Sequence, residues 1–106
     1  MKVILHTGIK RNGEYIKELE MPDIITVGME EDAFDMCLRI GKGNNLLSAE
    51  ICTLAVLTGS NYDEIRNLPV YDISILREKY HFLLQAPKKE PIQEPVETQP
   101  LMPEQA

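Results

Sequence analysis

The chain has 106 residues, with 11 Lys and Arg against 17 Asp and Glu and a formal net charge of −6. That balance removes the phosphate neutralisation that supplies most of the free energy of binding nucleic acid. Five of the seven prolines (Pro87, Pro91, Pro95, Pro100, Pro103) fall in the last twenty residues among Glu, Gln and Lys, so residues 85–106 read as a disordered tail and residues 1–84 as the one folding domain.

A unit of that size buries about 60–65% of its unfolded surface, enough for one thin core and not for a deep catalytic cavity. Function is therefore expected on a surface. The start of the chain has only Val3-Ile4-Leu5 as an apolar run, too short for a signal sequence or a membrane span, so the chain is expected to stay in the cytosol with no membrane partner.

The first elements are strands. Val3, Leu5 and Thr7 alternate with Ile4 and His6, Gly8 to Glu14 supplies turn residues, and Tyr15 to Met21 alternates again. Asn12-Gly13 favours a tight turn because both residues tolerate positive φ, which predicts a β-hairpin pairing Lys2–Ile9 with Tyr15–Met21. Pro22 ends the second strand because it cannot donate to the ladder.

From Asp23 the period changes. Ala33, Phe34, Cys37, Leu38 and Gly41 follow helical spacing and predict a helix over about Met29–Ile40. Glu30, Glu31, Asp32 and Asp35 lack the ligand order of a calcium loop and a neighbouring His, and the helix macrodipole explains acids at this end. Gly41-Lys42-Gly43-Asn44-Asn45 lacks the phosphate-loop order and reads as a connection, with Asn45 or Ser48 capping the next helix.

That second helix is predicted over Leu46–Thr58, closed by Gly59 in the left-handed region. Its apolar residues run nearly all round: Leu47, Ile51, Leu54 and Ala55 lie on one face, with Cys52, Val56 and Leu57 extending the arc. Such a helix is central to a core or covered by a partner. A short helix over Asn61–Asn67 comes next, capped by Ser60 or Asn61 with Asp63 or Glu64 three residues on. The last helix, Tyr71–Leu84, carries one stripe of Ile73, Leu76, Tyr80 and Leu83, with Ile75, Phe82 and Leu84 off it. The fold class is thus α+β: a hairpin, then a small unit of three to four helices, then the tail.

Phe34, Leu38, Ile51, Leu54, Ile65, Leu68, Leu76 and Tyr80 are expected to be the core. So small a domain cannot cover both helical arcs, so Leu46, Val56, Leu57, Ile75 and Phe82 are the expected partner-binding residues, for a client or for a second copy. Cys37 and Cys52 have no metal-site spacing and read as reduced thiols in a core, and His6 and His81 have no nucleophile beside them in any recognised motif. No catalytic residue, cofactor or metal is expected.

Ala55, Gly59 and Ile65 also stand at the spacing of a DNA-binding helix-turn-helix, but the helix after Gly59 opens Asn61-Tyr62-Asp63-Glu64 and offers only Arg66. Its charge opposes contact with DNA, which leaves a small regulator as the lesser alternative, beside a minor structural tail protein.

Taken in order, the hairpin, the turn at Thr26-Val27-Gly28 with Ala33, the segment Leu54, Ala55, Leu57, Thr58, Gly59, and then Ile65, Leu68, Pro69, Asp72, Leu76 and Phe82 resemble the small tail assembly chaperones of Mu-like and related contractile-tailed phages and prophages. The resemblance covers residues 1–84. It implies a non-catalytic protein that binds the tape measure protein, keeps that chain soluble in the host cytoplasm during tail assembly, and is absent from the mature virion. It further implies a longer frameshifted form that engages the tail tube protein. An apolar groove between helices suits a long helical client, and the acidic balance suits solubility of the complex.

Overall fold

The computed structural model describes residues 1–43 and 45–86. In chain order these form β1 (Lys2–Arg11), β2 (Glu14–Glu20), α1 (Val27–Arg39), α2 (Leu46–Thr58), α3 (Tyr62–Arg66) and α4 (Val70–Leu83), an α+β fold in which four helices follow one antiparallel hairpin. The expected tail lies outside the described residues from Pro87 onward.

Local chemistry sets most of the boundaries. Asn12 (φ 53°) and Gly13 (φ 82°) are both left-handed, the requirement of a two-residue hairpin turn whose twist matches its strands. Thr26 caps α1, Asn45 caps α2 by accepting from the Ser48 N–H, and Gly59 closes α2 at φ 68°. Asn61 and Glu64 form a reciprocal capping box that starts α3.

The hairpin is irregular. Ile9 pairs with Ile16 and Ile4 with Glu18, so Leu5, His6, Thr7 and Gly8 on β1 stand opposite Lys17 alone on β2, a bulge that turns the N–H groups of three of those residues away from the ladder. Gly8 belongs to this bulge and not to the turn, because β1 continues to Arg11. Its φ is +88°, and a Cβ there would lie 2.2 Å from the Ile16 carbonyl oxygen.

The core joins Val3, Leu5, Ile9, Leu19 and Met21 of the hairpin segment to Leu54, Ala55 and Leu57 of α2, Ile65 and Leu68 around α3, and Leu76 of α4. Central α2 touches α1, α3, α4 and β2, which accounts for its apolar residues on every side.

Two expected core residues are corrected. Phe34 is 56% exposed and Leu38 54% exposed. The cause is that α1 buries its narrow Ala33 and Cys37 face against α2, and the two large side chains lie to the side of that contact. Ile51 and Tyr80 are half-buried, while Leu54, Ile65, Leu68 and Leu76 are buried as expected.

Candidate functional site

Between α2 and α4 lies a cleft of about 180 Å³. From α2 it takes Leu47, Glu50, Ile51 and Leu54, from α4 Val70, Ile73 and Arg77, from the end of α3 Arg66, and from the connection that follows it Leu68. Leu54 is fully buried, whereas Leu47 is 58% and Val70 76% exposed, so the cleft runs from a core floor to an apolar lip in water.

Two features hold it open. Pro69 stands at the N-cap of α4, where its missing N–H costs nothing and its fixed φ starts the helix away from α3. Across the rim, Arg77 donates from Nε to Glu50 Oε2 at 2.8 Å and from Nη2 to Oε1 at 2.9 Å, a bidentate pair that fixes the spacing of the two helices. Arg66, beside it, has no carboxylate within salt-bridge distance among the described residues.

The start of α4 is tied down by Asp72. This carboxylate is fully buried and accepts hydrogen bonds from the backbone N–H groups of His6 (2.7 Å), Thr7 (2.9 Å) and Gly8 (2.9 Å). Burial pushes its pKa up, and the hydrogen bonds from Gly8, His6 and Thr7 more than offset that, so Asp72 is held below the ordinary aspartate value. On α3, the Arg11 guanidinium at 2.7 and 2.8 Å holds Glu64 down to about 2 against the opposing effect of burial. These contacts clamp the helical unit onto the hairpin at two points, and the cleft inherits its shape from them.

Three other depressions are more voluminous: one of about 340 Å³ lined by Ile40, Lys42, Tyr62, Asp63 and Arg66, one of about 470 Å³ lined by Ser74, Arg77, Glu78 and His81, and one of about 330 Å³ lined by Thr7, Gly8, Lys10, Tyr15, Asn67 and Pro69. None of them has a buried apolar side chain in its lining. Among the described residues no group of three or more His, Cys, Asp or Glu side chains is placed to hold a metal ion, and no helix is long and apolar enough to cross a membrane.

The residues expected from sequence to bind a partner are scattered. Leu46 is 91% and Phe82 62% exposed, Val56 and Ile75 are half-buried, and Leu57, at 5%, belongs to the core and is withdrawn from the surface set. At ~100° per residue, Ile75 and Phe82 lie about 150° round α4 from the cleft-lining side. The cleft residues Leu47 and Ile51 sit on the α2 face that the pattern assigns to the core. The i, i+3 pair Val70 and Ile73, directly after Pro69, is the signal in the sequence that could have found the other wall.

Comparison with protein-family models, with curated proteins and with solved structures finds no match for this chain.

Proposed function

We propose that this chain is a non-catalytic tail assembly chaperone that receives an apolar segment of a phage tape measure protein in the α2–α4 cleft. The observation that carries the reading is the cleft itself, with a buried floor of Leu54 and Leu68, exposed lips of Leu47 and Val70, and a spacing fixed by Glu50 and Arg77. Four residues of the resemblance bear on it: Leu54 and Leu68 line it, Pro69 starts its second wall, and Asp72 anchors that wall.

A cavity of this size takes one or two apolar side chains. One such anchor contributes about 1.5–3 kcal/mol, too little to hold a client alone, so a long chain with repeated apolar stripes is retained by several copies at once and released as they leave. That suits a helper that acts in the host cytoplasm and is absent from the finished particle. The net charge of −6 keeps the loaded assembly from aggregating.

The test is co-expression with fragments of the tape measure protein from the same phage, scoring the client's solubility and the affinity of the purified complex. Leu47→Asp with Val70→Asp places two charges on the lips, where both positions already meet water, so the fold should persist by circular dichroism. Binding should fall at least about tenfold, as expected for charges desolvated without partners. A folded double variant that binds and solubilises the client like the parent removes the cleft as the site.

A further inference from the structure

Independently of the cleft, α1 carries a second unpartnered surface. Val27, Phe34 and Leu38 are 83%, 56% and 54% exposed, and at ~100° per residue they fall within about 40° of one another on one side of the helix. Ala33 and Cys37, the buried residues of α1, face elsewhere. The Ala33–Cys37 side of α1 packs against α2, and none of Val27, Phe34 and Leu38 lines the cleft.

The row is bordered by carboxylates. Along the helix axis Glu31 falls between Val27 and Phe34, and Asp35 follows on the same flank of the row, whereas Asp32 lies well round the helix from it; Arg39 is the one cation of the helix, in its last turn. None of Glu31, Asp32 and Asp35 has a Lys, an Arg or the N-terminal amine within salt-bridge distance among the described residues. The macrodipole accounts for acids near the start of a helix, but it does not account for three large apolar side chains held in water beside them.

We infer that this face of α1 is a docking surface for a basic amphipathic helix of another protein, whose apolar side packs on Val27, Phe34 and Leu38 while its Lys or Arg residues pair with Glu31 and Asp35. Charge decides the occupant. A second copy would bring the same carboxylates against each other, and a net charge of −6 adds to that repulsion, whereas a cationic helix satisfies both the apolar row and its border. The recognition mode is a helix laid along an apolar row with anchors one and two turns apart.

The test uses the full chain and a fluorescein-labelled helical peptide of leucine and lysine, beside its isomer with glutamate in place of lysine. The leucine–lysine peptide should bind saturably, shift backbone amides over residues 27–39, and bind more weakly as salt shortens the screening length from ~8 Å to ~3 Å. Phe34→Ala with Leu38→Ala should weaken it at least about tenfold, as for central apolar anchors. Glu31→Lys with Asp35→Lys should abolish binding and admit the glutamate isomer, while Glu14→Lys with Glu18→Lys, on the hairpin, should leave the shifts on α1 in place. Equal binding by the Phe34/Leu38 variant, shifts confined to the cleft, or a dimer of the full chain that dissolves in that variant would each overturn the assignment.

Discussion

Gly8 and Asp72 hold each other's elements in place: the backbone N–H of Gly8 donates to Asp72 Oδ2 at 2.9 Å, and the bulge that frees this N–H forms only because Gly8 carries no side chain. Asp72→Ala leaves three N–H groups without their acceptor, that of Gly8 buried and those of His6 and Thr7 part-buried. At ~1–3 kcal/mol for the buried group and less for the two that water can reach, a loss of at least about 2 kcal/mol is expected by urea unfolding. The folded-state pKa of Asp72 is depressed, so its contribution is complete above the unfolded value near ~4 and declines as pH falls through the folded value. A wild-type protein that loses no more stability in acid than Asp72→Asn would contradict this.

Gly8→Ala probes the other partner. A Cβ would meet the Ile16 carbonyl at 2.2 Å and its carbon at 2.6 Å, whereas at Gly59, also left-handed at φ +68°, nothing lies within 4 Å. Gly59→Ala therefore costs only the left-handed conformation, about 1 kcal/mol, and Gly8→Ala that amount plus displacement of a strand, more than about 3 kcal/mol. Matched urea midpoints for the two variants would show that the close approach is absent.

The hairpin turn and the ends of α2 were legible because local chemistry writes them: Asn12-Gly13 accepts positive φ, Asn45 caps, and Gly59 stops the helix. The Leu5–Gly8 bulge was not, because its N–H groups find their acceptor 64 to 66 residues away, and no window of sequence contains both partners. The cleft was half legible. Periodicity groups Leu47, Ile51 and Leu54 on one face, but only the placement of α4 determines that Leu54 is covered and Leu47 is left at a lip. Phe34 and Leu38 misled for the same reason, since an apolar residue at helical spacing reports a stripe and not which neighbour covers it.

Truncation should separate core from surface. Leu54 and Leu76 are both fully buried, and Phe34 is 56% exposed. Leu54→Ala and Leu76→Ala should each cost about 2–5 kcal/mol through lost transfer energy and the cavity left behind. Phe34→Ala, removing a larger side chain, should cost about 1 kcal/mol or less. A Phe34 variant as destabilised as the other two would place that ring in the core after all.

Arg11 reaches from the hairpin to Glu64 on α3, and the same carboxylate accepts from the Asn61 N–H at 3.0 Å. Glu64 is held down to about 2 chiefly by Arg11. The linkage runs in the acid direction: this stability is present above the ordinary glutamate value of about 4.3 and disappears as pH falls toward 2. In Arg11→Ala the Glu64 carboxyl should titrate well above its parent value by carbon-detected NMR, and the acid unfolding midpoint should move to higher pH. An unchanged Glu64 titration in Arg11→Ala would mean that the capping box alone depresses it.

Cys37 and Cys52 are 1% and 0% exposed, and burial, followed by the hydrogen bond with Cys37, pushes the Cys52 thiol up to about 11. A neutral, enclosed thiol is a poor nucleophile, so neither cysteine should react with a disulfide reagent at pH 8 until urea unfolds the chain. For an acid whose folded pKa is raised, the stabilising window lies below the unfolded value near ~8.5 and closes as pH rises toward the folded one. The urea midpoint of the parent should therefore fall between pH 9 and 11 more steeply than that of Cys52→Ala, where this proton is missing from both states. Parallel slopes for the two proteins would show that Cys52 ionises as freely folded as unfolded, which its position between α1 and α2 does not allow.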